Sequence, residues 1–279
     1  FANLEQAIVA GNRVFELLNE KGIEVSDEHI PRYEGNVSFE HVSFGYKKGE
    51  YVLKDITFEA KQGETVAFVG HTGSGKSSIM NLLFRYYDCD EGVIRVDGKD
   101  IKSISHQALR EHMGIVLQDP YLFTGTIASN VSLNEERISR EKVEQALKDV
   151  GAFTVLHGIE GGIDAPVVEK GSTLSSGQRQ LISFARALAF EPAILILDEA
   201  TSNIDTETEA LIQNALEVLK KGRTTFIIAH RLSTIKNADC IIVLDKGEIA
   251  EKGTHDELMQ LKGKYFNMYQ MQVGSGVVV

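Results

Sequence analysis

The spacing of apolar residues changes character several times along the chain, and each change predicts an element. In residues 1 to about 20, Leu4, Ala7, Ile8, Val14, Phe15 and Leu18 recur every three to four positions, which puts them on one face of a helix. Lys21 to Asn36 breaks that period with Gly22, Pro31 and Gly35 among charges, the composition of a linker. A helix cut off in this way is expected to be a connector arriving from elsewhere, so residues 1–36 are set apart from the rest. From Val37 the pattern becomes alternating, and Val37 to Phe44 and Ile56 to Ala60 predict half-buried antiparallel strands. Thr65 to Val69 is continuously apolar, as a strand buried on both faces should be, and so are Ala193 to Leu197, Thr224 to Ile228 and Cys240 to Leu244. Helical periods lie between them, at Lys76 to Tyr87, Glu141 to Val150, Gln178 to Phe190, Thr206 to Leu219 and His255 to Leu261. Thr206 with Glu209 suggests a capping box for the fourth. Strands alternating with helices predict an α/β fold whose sheet is mainly parallel and covered on both faces. There is no internal repeat, and residues 273–279, without an interpretable period, read as a tail, either disordered or foreign to the natural chain.

Composition narrows the class. The chain has 279 residues, 43% hydrophobic and 25% charged, ordinary values for a globular protein with ample material for a core. Its net charge of −11 repels phosphate backbones, which argues against a nucleic-acid partner. Cys89 and Cys240 stand outside any C-x-x-C pattern and read as inert thiols. The longest apolar runs fall well short of the roughly 18 residues of a membrane span, and no signal peptide is evident. These residues are therefore expected to be soluble and on the cytosolic side. In that setting the Asn-x-Ser triplets at Asn36 and Asn130 carry no meaning.

Gly70-His71-Thr72-Gly73-Ser74-Gly75-Lys76-Ser77 fits G-x-x-x-x-G-K-S without a mismatch, after a buried strand and at the start of a helix. Glycines let the backbone fold tightly enough for several N–H groups to converge on phosphates, and the helix N-terminus adds a positive partial charge. Lys76 would reach the β- and γ-phosphates and Ser77 would offer its hydroxyl to Mg²⁺. Gly70 through Ser78 are the expected nucleotide contacts. The bland alternative, a glycine-rich turn with no ligand, sits poorly with Lys-Ser in register and both flanks correct.

A second signal is the strand Ala193 to Leu197 running into Asp198 and Glu199. In an open parallel sheet the carboxyl ends of strands gather where ligands bind. Asp198 would then hold Mg²⁺, directly or through water. Glu199, facing the other way as strand neighbours do, would polarise an attacking water. Alone, two carboxylates at a strand end are more often just solvated; the phosphate loop upstream reverses that reading.

Leu174-Ser175-Ser176-Gly177-Gln178 resembles the L-S-G-G-Q signature of ABC ATPases, and the phosphate loop before it and Asp198-Glu199 after it stand in that family's order. The resemblance, most similar to the exporter type, covers about Val37 to Gln270. It implies a P-loop NTPase (RecA-like) core with an N-terminal antiparallel β subdomain and a helical subdomain inserted at about residues 119–177, within a domain spanning 37–272. It also implies ATP and Mg²⁺ as ligands, and ATP hydrolysis as the activity. Tyr46 looks like the aromatic that stacks on adenine. Gln118 resembles the loop glutamine that senses Mg²⁺ and links the ATP site to the membrane part. Ser202-Asn203-Ile204-Asp205 resembles the loop that crosses to a partner site, and His230 the switch histidine on the γ-phosphate. Glu169-Lys170-Gly171 looks like the exporter loop ahead of the signature. Gln118 to Ile127 is similar to the exporter segment that meets the coupling helices, and the leading helix to the connector from a transmembrane domain.

The implied catalytic set is Lys76, Glu199 and His230. The implied metal set is Ser77, Gln118 and Asp198. Ser175, Gly177 and Gln178 would face ATP held by a second such domain, in a head-to-tail dimer on the cytoplasmic face of the cell membrane. One residue departs from the pattern. Ser176 stands where the family has its first signature glycine, which suggests a heterodimer with unequal ATP sites; a homodimer is the alternative. A chromosome or DNA-repair ATPase head shares the signature, but the segment from Gln118 to Leu174 is too short for its coiled coil. A regulatory module that binds ATP without turnover fits poorly with Glu199 and His230 both present.

Overall fold

The computed structural model describes residues 2–19, 31–156, 158–198, 206–229 and 232–275. Its strands are β1 (Val37–Phe44), β2 (Leu53–Ala60), β3 (Thr65–Val69), β4 (Glu91–Val96), β5 (Lys99–Asp100), β6 (Met113–Val116), β7 (Gly125–Thr126), β8 (Pro166–Val167), β9 (Ile194–Asp198), β10 (Thr224–Ile228), β11 (Cys240–Asp245) and β12 (Glu248–Gly253). Its α-helices are α1 (Ala2–Asn19), α2 (Lys76–Leu83), α3 (His106–Glu111), α4 (Ile127–Ser132), α5 (Arg140–Asp149), α6 (Ala152–Leu156), α7 (Ser176–Ala189), α8 (Thr206–Lys220), α9 (His255–Leu261) and α10 (Lys264–Ser275).

The central sheet has the order β12-β11-β3-β10-β9-β6, parallel throughout except for β12 at the edge. A separate antiparallel sheet has the order β2-β1-β4-β5. The mainly parallel α/β core and the antiparallel β subdomain are thus both present.

The buried strands divide the core in two. Successive side chains point to opposite faces, so Ala67, Val69, Leu195, Leu197, Ile227, Ile241 and Val243 pack with helices α4 to α8. Val66, Phe68, Ile194, Ile196, Phe226 and Ile242 pack instead with α2, α3 and the antiparallel sheet. On that second face Phe58 lies edge-on to Phe68 and Phe226, at 5.4 and 6.4 Å between centroids, and stitches the two sheets together. Each such ring contributes about 2–3 kcal/mol by leaving water.

Several boundaries differ from the sequence pattern. The helix expected to reach Tyr87 stops at Leu83, because Arg85 takes a left-handed φ of 51° and turns its guanidinium onto the carbonyls of Ile101 and Ile104. α8 spans Thr206–Lys220, and the capping box expected of Thr206 with Glu209 rests on the Thr206 side chain, which lies outside those described. α7 starts two residues earlier than expected, and α10 runs through Gly274 and Ser275, inside the stretch read as a tail. On α1 the residues Ile8, Val9, Val14, Phe15, Leu17 and Leu18 are all more than half exposed, so its apolar stripe is not spent on this domain.

Candidate active site

β3 ends at Val69 and α2 begins at Lys76, with the glycine-rich loop between them. Gly75 is the residue before the helix and takes φ 108°, where a side chain is strained; a Cβ there would also come within 2.5 Å of Leu53 Cδ2. The N–H groups of Gly73, Gly75, Lys76 and Ser77 have no acceptor among the described residues. Ser74 Oγ is buried with no hydrogen-bond partner among them either. Buried polar groups are rarely left unpaired without a reason. They belong to one loop that leads into a helix N-terminus, a place where anionic oxygens are bound.

Lys76 is buried and donates to the carbonyl oxygens of Gly70, at 2.5 Å, and His71, at 3.1 Å. Burial pushes its ammonium below the usual lysine range, and the charge of Asp198 partly offsets this. That coupling brings the end of β9 to the phosphate loop. The register explains it: Phe68 pairs with Ile228 and Ile228 with Asp198, so β3, β10 and β9 finish at one level. Val116 of β6 pairs with Leu197, which brings Gln118, exposed two residues later, to the same edge. Ser77 is exposed on the first turn of α2. A hydroxyl, a carboxylate and an amide oxygen are the hard donors that suit Mg²⁺. Glu199 and His230 lie outside the described residues, the first directly after Asp198 and the second directly after Ala229 in the sequence.

Tyr46 stands beside the loop with its ring 47% exposed, between the edges of Phe44 and Tyr87 at 4.8 and 5.1 Å. Its phenol oxygen accepts from Asn81 Nδ2 at 2.9 Å and lies 3.1 Å from Ser78 Oγ. Ser78, expected among the nucleotide contacts, therefore directs its hydroxyl to Tyr46. Asn81 carried no expectation; it falls one turn past Ser78 on the same face of α2, a spacing that could have flagged it.

The signature residues stand on another element. Ser175 caps α7 in a reciprocal box, its Oγ accepting from Gln178 N–H at 3.1 Å and its own N–H donating to Gln178 Oε1 at 2.9 Å. Each side chain is thus engaged with the other residue's backbone N–H. Gly177 is buried, and a Cβ there would collide with Thr208 Cγ2 on α8. Its smallness serves helix packing as well as any approach of phosphate. Ser176 is exposed on the first turn of α7. Ser202 to Asp205 lie outside the described residues.

A parallel sheet whose strand β3 opens into a glycine-rich phosphate loop, with a carboxylate ending a strand two places away, defines a P-loop nucleotide triphosphatase. The ABC transporter family matches residues 53–202, over half of the chain, and the chain belongs to that family as an ATP-binding, ATP-hydrolysing domain. It is 64% identical over 275 residues to a probable multidrug resistance ABC transporter ATP-binding/permease protein of Bacillus subtilis, covering 98% of this chain and 41% of that protein. It is 43% identical over 270 residues to an ATP-dependent lipid A-core flippase of Saccharophagus degradans, covering 96% and 46%. Among solved structures, a bacterial Atm1-family ABC exporter with ATP bound matches at TM-score 0.86 and 38% identity, over 96% of this chain and 47% of that one. The chain spans less than half the length of these relatives.

Proposed function

We propose that this chain is the motor domain of an ABC exporter, joined to a transmembrane domain and acting with a second such domain at the cytoplasmic face of the membrane. The observation that carries the reading is the set of unspent donors in the phosphate loop: among the described residues, four N–H groups and the Ser74 hydroxyl have no partner, and Lys76 is parked on two loop carbonyls. Arriving phosphate gives these donors acceptors and draws Lys76 off the carbonyls, and the negative charge restores its ammonium. Tyr46 offers its face to adenine. Ser77, Gln118 and Asp198 would hold Mg²⁺, which supplies charge neutralisation on the β- and γ-phosphates.

Glu199 polarises a water, whose oxygen forms a bond to the γ-phosphorus as the bond to the β-phosphate oxygen breaks, giving ADP and phosphate. His230 hydrogen-bonds the γ-phosphate, and Lys76 stabilises the charge that develops on it. Loss of that phosphate releases the two domains from each other. The fusion of relatives to permease segments supports the membrane attachment; no described helix is itself long and apolar enough to cross.

Ser176 supports a pair with unequal sites. Its exposed hydroxyl and Cβ sit on the tip of α7, the surface read as facing the partner's ATP. In that arrangement the site of Lys76 and Glu199 is completed by an intact partner signature and does most of the work. Glu199→Gln here should then stop turnover, while the matching change in the partner leaves much of it. Equal loss from both changes points to the homodimer instead.

A further inference from the structure

α10 lies alongside the phosphate loop and ends on the turn that follows β10. Its start is anchored: Tyr265 is fully buried, its phenol lies 2.7 Å from His255 Nδ1, and its N–H donates to Glu251 at 3.0 Å. Further along, Met268 and Met271 line two cavities that His71 of the loop also lines. Near the end, Gln272 Oε1 accepts a hydrogen bond from Leu232 N–H at 2.8 Å, across 40 residues of sequence.

Leu232 opens a 3₁₀ turn, Leu232–Ile235. The first N–H of such a turn has no acceptor within it. Leu232 is 2% exposed, so leaving its N–H unpaired would be costly. Gln272 supplies the missing cap from a distant helix. On the other side of the same segment, Ala229 N–H donates to Phe68 O at 3.1 Å, which ties it to the strand that carries the phosphate loop. His230 therefore follows one tie and precedes the other in sequence.

We propose that Gln272 is a positioning residue for ATP hydrolysis: it fixes the turn after β10, which lines one cavity with Gly70, His71 and Lys76 of the phosphate loop, and so holds that side of the site in place. This rests on the role given to the phosphate loop above. α10 would then be a brace that keeps the γ-phosphate side of the site at one spacing.

The test uses the full-length transporter with its partner subunit, if it has one, and two substitutions. Gln272→Met keeps the length and apolar stem but loses the acceptor; Gln272→Glu keeps an acceptor oxygen. The expected result is a kcat roughly three- to ten-fold lower in the Met variant, with KM for ATP unchanged and the Glu variant close to the parent. Hydrogen exchange of the 229–236 segment in the nucleotide-free protein should rise about ten-fold in the Met variant alone. Unaltered exchange in the Met variant, an unaltered kcat, or an equal fall in both variants would each overturn the proposal. Should the parent protein show no ATP hydrolysis that Lys76→Ala removes, the proposed function falls, and the exchange measurement still decides whether Gln272 holds the turn.

Discussion

The phosphate loop and the turn around Asn130 are built from similar materials to opposite ends. At Asn130 everything is paired. Its side chain is 1% exposed, donates to the carbonyls of Phe123 and Thr126 at 2.8 and 3.0 Å, and accepts from Phe123 N–H at 2.8 Å and Arg186 at 3.2 Å. Arg186 also donates to the carbonyls of Asn130 and Tyr121, so α7, which begins at the signature, is tied to the segment that follows Gln118. In the phosphate loop, by contrast, several donors are left without acceptors among the described residues. A region that holds shape satisfies its polar groups internally, and a region that binds keeps them for the ligand. Substitutions in the two should separate stability from activity.

The largest separation is expected from Lys76→Ala. Loss of a charge aimed at the developing γ-phosphate should lower ATP turnover about 10²- to 10³-fold. Thermal stability should stay equal or rise, since a partly desolvated ammonium is removed from the fold. Phosphate release together with a thermal melt of the same preparation checks both. Turnover that survives the change removes the loop from the mechanism.

Asn130→Ala should do the reverse. It strands the Phe123 N–H and two carbonyls in a buried site, which costs about 2–4 kcal/mol, or roughly 5–15 °C in Tm. The nucleotide Kd of the surviving folded fraction should change by less than two-fold. A melt within a degree or two of the parent's would mean that the network is dispensable.

The contrast also explains what could be read from residues alone. The four buried strands were legible because Thr65–Val69, Ile194–Leu197, Thr224–Ile228 and Cys240–Leu244 are apolar on both faces, and strands of that kind have no other use. The phosphate loop was legible because Gly and Lys-Ser at fixed offsets are dictated by the ligand. β12 was not: Glu248, Glu251 and Lys252 break up any apolar pattern along an edge strand that pairs, among the described residues, with β11. β6 spans four residues, too few for a period to show. α10 mixes polar and aromatic residues without a clear stripe, and what orders it is tertiary, through Tyr265 and Gln272. Asn130, seen as an Asn-x-Ser triplet, gave no sign of its network, because its partners Phe123 and Arg186 meet it only in the folded chain.

Gly177 meets both kinds of demand, since it lies in the signature yet packs against α8. Gly177→Ala drives a Cβ into Thr208 Cγ2 and should cost about 1–3 kcal/mol by overpacking. Thr208→Ser removes that methyl and keeps the hydroxyl, so the double variant should recover most of the stability. If stability returns and ATPase does not, the glycine is also needed where phosphate approaches. Recovery of both assigns it to packing alone.

The smallest effect is expected at Tyr46, which combines the two kinds of use. Its ring is the part offered to adenine, and its phenol oxygen is the part held, by Asn81 at 2.9 Å and beside Ser78 at 3.1 Å. Tyr46→Phe keeps the stacking face and releases the hold, leaving the edges of Phe44 and Tyr87 to orient the ring. KM for ATP should rise about two- to five-fold with kcat unchanged, the size of one partly exposed hydrogen bond. Asn81→Ala should do the same, and the double variant no more than either, because both remove one constraint. Additive losses would mean that Asn81 acts on the nucleotide by another route and that the ring is held by its aromatic neighbours alone.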